Sequence, residues 1–185
     1  MGSPASYLLV IGEREALAWV LRKRRMAFPQ TRRSEVDSLA VGDELLLLTT
    51  RGCFHNPGRD RTRVIGRASV TTPVVPLDPP VALVGRTFTR GCDLDITSLA
   101  PYLTGVELAE LVPRLAAFPD KENWSIRLRR PLVRLTERDA TAGRCTSGVP
   151  RADQAGRQPG TVSAFSRRQG PWRHRPAHEE LLFPP

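Results

Sequence analysis

One stretch concentrates the side chains able to do chemistry: Arg51-Gly52-Cys53-Phe54-His55-Asn56-Pro57-Gly58-Arg59-Asp60-Arg61-Thr62-Arg63. Arg59, Arg61 and Arg63 recur at every second position, and a guanidinium is a planar fork that grips phosphate oxygens. Phe54 offers a ring for stacking, while His55 and Asn56 offer donors and acceptors to a base edge. These types together point to nucleic acid; the competing reading is a solvated loop on a basic surface. A second chemistry sits in the same stretch. Cys53 and His55 point the same way if the segment is extended, which is the start of a thiol nucleophile and of a nuclease or hydrolase reading. That pair needs a defined hydrogen bond and an orienting third group, and no third group is evident. Cys53, His55 and Cys92 lack the paired Cys-x-x-Cys spacing of a zinc site, Asp93 and Asp95 read as solvent-facing, and neither a Walker loop nor a dinucleotide fingerprint is present. The expectation is a protein with no cofactor, no metal and no catalytic residue.

The elements that must hold this stretch read as strand, loop, strand. Gly42-Asp43 is a turn that launches Leu45–Leu48, an apolar run without alternation and therefore a strand covered on both faces. Pro57-Gly58 suits the centre of a type II turn. Arg61 and Arg63, if already on the returning strand, share a face. That strand carries Val64, Gly66, Ala68 and Val70, with Ile65 blurring the alternation and Gly66 marking a close backbone approach. Upstream, Tyr7–Ile11 reads as a buried first strand. Glu13 to Arg25 reads as a helix with Ala16, Leu17, Val20 and Leu21 on its apolar stripe and Trp19 off it, at the core edge or facing a pocket. From Arg22 to Arg33 there are six basic residues and no acid, part helix-dipole complement and part phosphate steering. Phe28 precedes Pro29, which forces it extended and presents it rather than burying it.

Downstream, Ser34–Ala40 is a short helix or turn and Pro73–Pro80 a connector. Val81–Val84, Thr87–Thr89 and Leu94–Leu99 are short strands, with Gly91-Cys92-Asp93 a turn between the last two. Thr104-Gly105-Val106-Glu107 reads as a capping box opening a helix through Ala116, shortened by Pro113. Asn123–Leu128 alternates as a strand that buries Trp124, Ile126 and Leu128. Pro131–Leu135 follows, and Thr136–Asp139 is a second capping box.

The chain has 185 residues and a formal net charge of +9, which favours an anionic partner. Lysine occurs only at Lys23 and Lys121, so the charge is carried by arginine. Residues 1–140 hold 21 basic and 16 acidic residues, a net of +5. Residues 141–185, with seven Arg against three acids and many Pro and Gly, read as a disordered tail; its Trp172-Arg173-His174-Arg175 is a candidate for nonspecific nucleic-acid contact. Three cysteines make no disulfide framework, and no apolar run reaches the ~20 residues of a membrane span. The reading is a cytoplasmic protein, nucleoid-associated if bound to DNA, and a monomer or weak dimer.

The opening Tyr7-Leu8-Leu9-Val10 strand, the Trp that follows it, Gly42-Asp43-Glu44-Leu45-Leu46-Leu47 and Val64-Ile65-Gly66-Arg67-Ala68-Ser69-Val70 resemble the EVE domain of the PUA-like superfamily. The Leu111–Pro119 segment, Asn123-Trp124 and Leu135-Thr136 extend the likeness over residues 6–140. The resemblance implies an α+β fold, a PUA-like, EVE-like partly closed β-barrel with flanking helices. It also implies a function: binding DNA that carries a modified base, 5-methylcytosine foremost, by extruding the base into a pocket, or alternatively binding modified or structured RNA. An extruded base needs apolar walls, polar groups for its edge and basic groups on flanking phosphates. On that reading the walls are Trp19, Phe28 and Phe54, and the edge contacts are Thr49, Thr50, His55 and Asn56. The phosphate contacts are Arg22, Arg24, Arg25, Arg51, Arg59, Arg61 and Arg63. The partner expected is methylated double-stranded DNA, with no membrane.

Overall fold

The computed structural model describes residues 4–31 and 33–146, without the side chains of 142–146; the expected tail beyond Thr146 lies outside the described residues. The apolar runs at the start of the two central strands explain the architecture. β1 (Ser6–Ile11) pairs in parallel with β3 (Glu44–Thr49), Tyr7 opposite Leu45 and Leu9 opposite Leu47. Side chains alternate across a strand, so Tyr7, Leu9, Ile11, Leu45 and Leu47 enter one core. Leu8, Leu46 and Leu48 enter another on the opposite face. A run without alternation is what two covered faces require. Each such leucine contributes about 1.5–3 kcal/mol on burial.

The strands join in one mixed, curled half-barrel sheet with a few short helices at its flanks. The remaining strands are β2 (Arg25–Phe28), β4 (Arg63–Val70), β5 (Val75–Leu83), β6 (Arg86–Leu99), β7 (Val106–Glu107) and β8 (Leu132–Leu135). The order is β2-β6-β4-β3-β1-β8, with β5 on β6 and β7 on β4. Asp43 ties the Gly42-Asp43 turn to the start of β1: its carboxylate accepts from the Ala5 amide at 2.8 Å and the Ala40 amide at 2.9 Å. The blurred alternation at Ile65 is a bulge. Leu47 faces Gly66 and Leu48 faces Val64, which leaves Ile65 as the extra residue. Val64 therefore joins one core and Ile65 the other. A Cβ on Gly66 would lie 2.5 Å from the Ser98 carbonyl oxygen, and one on Gly91 2.5 Å from that of Met26. β6 thus crosses β4 and β2 with no room for side chains at those two points.

Several expectations fail for identifiable reasons. α1 (Arg14–Lys23) ends earlier than its run of helix formers suggests. Arg24 turns left-handed at φ 47, and Arg25–Phe28 is recruited as a strand against β6. Pairing outweighs helix propensity there. Phe28 is consequently buried in the core, 0% exposed, and not presented. β6 is continuous through Gly91-Cys92-Asp93, so those residues are strand and not turn. The proline-rich connector is most of β5, which hairpins onto β6 through Val84 and Gly85, both at positive φ. Thr104 caps nothing; its hydroxyl donates to the Pro101 carbonyl at 2.7 Å. The helix behind it is one turn, α3 (Leu108–Leu111), ending at a 3-10 turn that contains Pro113. The segment Trp124–Arg129 is a 3-10 helix, not a strand. It packs beside β8, the last strand of the sheet, without pairing to it. Ile126 is exposed, while Trp124 and Leu128 pack on the second core, Trp124 edge-on to Phe118 at 6.4 Å.

The Thr136–Asp139 box does form. The Thr136 amide donates to Asp139 Oδ2 at 3.1 Å and the Asp139 amide to Thr136 Oγ1 at 3.2 Å. The helix it starts, α4 (Glu137–Thr146), runs past the expected boundary at 140. Burial pushes the Asp139 carboxyl up, but amide donors from Ala116, Thr136 and Ala117 outweigh it and hold the group below its ordinary value. A short helix, α2 (Ser34–Asp37), precedes β3. Among the described residues no helix is long and apolar enough to cross a membrane.

Candidate nucleic-acid interface

A cavity of about 380 Å³ opens where the end of β1, α1, β2 and the β5–β6 hairpin meet. Ile11 and Gly12 close β1; Ala16, Trp19 and Val20 come from α1; Met26 and Ala27 come from β2; Leu83, Val84 and Phe88 come from the hairpin. Trp19 lies off the helix stripe because it lines this cavity while Leu17 and Val20 go into the core. Val84 holds φ 51 at the hairpin tip, an uncommon value for a β-branched residue, and is half-exposed on the rim. Glu13 gives the lining one acidic group; Arg33, Arg86, Arg129 and Arg130 give it four basic ones. Arg130 is engaged by Glu35. The Glu35 carboxyl is held below its ordinary value first by backbone hydrogen bonding and then, against some desolvation, by Arg130. Arg33 Nε is buried with no hydrogen-bond partner among the described residues. A donor left in that state costs about 1–3 kcal/mol, which a ligand acceptor in the cavity would relieve. The set therefore offers stacking and apolar surface, one anionic acceptor and several guanidinium donors at a single opening.

Of the residues expected to form a base pocket, Trp19 lines this cavity. Thr50 stands next to it, its amide donating to the Ile11 carbonyl at 3.1 Å. Phe28 is in the core, and its burial under β6 removes it as a wall. Thr49 is 1% exposed and Phe54 half-buried, and both line a different cavity across α1. His55, exposed, has its Nε2 3.8 Å from Glu15 Oε2. The Glu15 carboxyl is held low chiefly by a backbone hydrogen bond, opposed by desolvation, with Arg14 and His55 adding. Asn56 contributes its backbone: its carbonyl accepts from the Arg59 amide at 3.1 Å and the Asp60 amide at 2.8 Å. That is a helical-type turn. The left-handed residue of the loop is His55, at φ 61, rather than Gly58 as a type II turn would require.

The expected phosphate contacts also divide. Arg22, Arg24 and Arg59 are exposed. Arg61 is exposed and lines the second cavity. Arg25 is paired with Asp93 at 2.5 Å. Arg51 Nε donates to the Pro57 carbonyl at 2.6 Å. Arg63 is held by Glu107 at 2.6 Å and by the Gly105 carbonyl at 3.2 Å; it is the first residue of β4 and Arg61 precedes the strand, so the two do not share a strand face. Arg86, Arg129, Arg130 and Phe88 went unremarked in the sequence. The one local signal was Arg129-Arg130-Pro131, a basic pair placed directly before a strand.

Cys53 is 0% exposed, and burial, then the charges of Glu13, Asp60 and Glu15, push its thiol up to about 12. Near neutral pH the thiol stays protonated. A buried, protonated thiol is a poor nucleophile, so the geometry lends the Cys53/His55 reading no support. Cys92 is buried in the same core and its thiol is likewise pushed up to about 12, by burial and then by Asp93. Glu13, Glu15 and His55 bring one ligand atom each within 4.8 Å of one another.

No family model matches the chain and no curated protein matches it. Solved structures are similar to it at low identity. A protein from Pseudomonas putida is 17% identical, with 75% of this chain and 96% of that one covered at a TM-score of 0.49. Human THYN1, in complex with 5-methylcytosine containing DNA, is 13% identical over 75% of this chain and 94% of that one, at a TM-score of 0.49. The Mmi1 YTH domain is 8% identical over 75% and 72%, at a TM-score of 0.49. Within this chain itself, the order of elements behind the EVE resemblance is observed: β1, a helix carrying Trp19, the Gly42-Asp43 turn, β3 and β4.

Proposed function

We propose that the chain binds nucleic acid carrying a modified base and holds that base, out of its stack, in the cavity beside Trp19. The observation that carries this reading is the cavity's composition. It has an indole and a phenyl ring, Glu13 as acceptor, and four arginines, one with a buried Nε that has no partner among the described residues. Base extrusion asks for that combination of walls, edge contacts and cationic rim. Arg86, Arg129 and Arg33 take the phosphates nearest the base, and the exposed Arg22, Arg24 and Arg59 extend the basic surface. The binding unit is residues 6–140 together with α4.

The modified base we propose is 5-methylcytosine in duplex DNA. Met26, Leu83 and Val84 supply apolar lining for a methyl group, worth on the order of 1 kcal/mol. Glu13 is a natural acceptor for the cytosine amino group. A competition gel shift at fixed salt tests this, with matched duplexes methylated and unmethylated at cytosine and single-stranded RNA of the same sequence. Tighter binding to the methylated duplex, by roughly fivefold, is the expected result. Equal binding to both duplexes would refute the modified-base reading, and a preference for the RNA would replace DNA with RNA as the partner.

A further inference from the structure

A second cavity, of about 210 Å³, lies across α1 from the first. Its lining includes Phe54, Asp60, Arg61, Arg63 and Tyr102. Asp60 is only 3% exposed, and its Oδ2 is buried with no hydrogen-bond partner among the described residues. Buried carboxylate oxygens are almost always satisfied, so this one calls for a donor that arrives with a ligand. Tyr102 is 67% exposed as a residue, and its ring meets that of Phe54 edge-to-face, centroids 5.0 Å apart at 82°. That leaves a flat aromatic surface at the mouth.

The chemistry of the donor can be narrowed. Arg61 and Arg63 line the same cavity; Glu107 pairs Arg63, but the exposed Arg61 repels a cationic amine or guanidinium that would gain one carboxylate. A neutral N–H donor on a planar ring, attached to an anionic backbone, fits all four features. We propose that this cavity is a second nucleobase site, for an unpaired base that presents an exocyclic amino group. The amino group donates to Asp60, the ring stacks on Tyr102, and Arg61 meets the adjoining phosphate. Uracil and thymine turn a carbonyl oxygen to the place where cytosine carries its amino group, and that oxygen faces Asp60 with nothing to share. The site thus discriminates by repulsion as well as by attraction. The inference rests on the reading of the chain as a nucleic-acid binder. It is separate from the modified-base cavity, with which it has no lining residue in common.

The test is a titration of the full chain with cytidine 5′-monophosphate and with uridine 5′-monophosphate, followed by the backbone amide signals of Tyr102, Leu103 and Thr104. Cytidine monophosphate should move these signals and bind roughly tenfold more tightly than uridine monophosphate. Asp60→Asn should erase that ratio. Tyr102→Ala, at an exposed position where folding is not at stake, should weaken both nucleotides alike. Equal affinity for the two nucleotides would overturn the proposal, as would shifts confined to the signals of Trp19 and Met26. The failures are distinguishable. Cytidine monophosphate seated at Tyr102 with no oligonucleotide bound anywhere would sink the strand-binding reading and keep this site. Oligonucleotide binding with silent Tyr102 signals would do the reverse.

Discussion

The loop 51–62 and the cavity beside Trp19 look alike in composition and differ in what their side chains are free to do. The loop is rich in arginine, but Arg51 holds the Pro57 carbonyl, Arg63 at its exit holds Glu107, and His55 meets Glu15. Those groups mainly hold the loop in shape. The cavity draws its arginines from three distant places, Arg33, Arg86 and Arg129-Arg130, and Arg33 Nε there has no partner among the described residues. A dense local motif is often self-satisfying, because neighbours in sequence are the easiest partners to reach. The contrast is one of balance: Arg130 at the cavity is engaged by Glu35, and in the loop Asp60 Oδ2 has no partner among the described residues.

The substitution that should separate the two regions most is Trp19→Ala. Stacking of a base on an aromatic ring is worth about 1–3 kcal/mol, so affinity for the methylated duplex should fall roughly tenfold or more and the preference over the unmethylated duplex should vanish. Phe54→Ala should leave that preference intact. If the two variants exchanged phenotypes in the gel-shift competition, the loop and not the cavity would hold the modified base.

The next effect in size tests the rim. Arg129→Ala or Arg86→Ala should weaken binding to every duplex by about 1 kcal/mol and reduce the slope of log affinity against log salt by about one. An unchanged salt slope in both variants would take the phosphates away from the cavity mouth.

How much of this was legible in the sequence follows from the same contrast. The β1–β3 centre was readable because apolar runs report two-sided burial directly, and the Thr136–Asp139 box because its donors and acceptors are local. Phe28 was misjudged because a residue before proline is extended whether it is presented or paired, and only β6, far along the chain, decides for pairing. The Asn123–Leu128 alternation failed because the segment coils as a 3-10 helix beside β8 and reaches the second core through Trp124 and Leu128 alone. Trp19 could be picked out as an aromatic off the helix stripe. Phe88, Arg86 and Arg129 could not, because their convergence depends on the β5–β6 hairpin and the segment before β8 meeting at one cavity, which no local pattern encodes.

The thiols offer a sharper test within the loop. Burial holds Cys53 and Cys92 protonated up to about pH 12, against an ordinary value of 9.0. The unfolded chain releases these protons near pH 9 and the folded chain does not. Stability from this source is therefore complete below about pH 9 and declines as pH rises towards 12, by on the order of 1 kcal/mol per pH unit for each thiol. Denaturant midpoints measured from pH 8 to pH 11 should show this alkaline loss, and Cys53→Ala should make it shallower while leaving nucleic-acid binding at pH 7 unchanged. A loss of binding at pH 7 in a folded Cys53→Ala protein would return the loop to the centre of the function.

Arg59→Ala should give the smallest effect, and it is informative for that reason. The side chain is exposed, at the tip of a loop whose shape depends on the backbone of Asn56 and on Arg51, not on the Arg59 guanidinium. An exposed guanidinium a Debye length or more from the nearest phosphate is largely screened at physiological salt. The expected loss is a few tenths of a kcal/mol at 150 mM salt, equal for methylated and unmethylated duplexes, and growing as salt is lowered. If Arg59→Ala instead cost as much as Arg129→Ala at every salt concentration, Arg59 would have to sit in direct contact with a phosphate. The bound strand would then have to run along the loop as well as the cavity. If it removed the preference for the modified base alone, the division between walls that recognise the base and arginines that hold the backbone would itself be wrong.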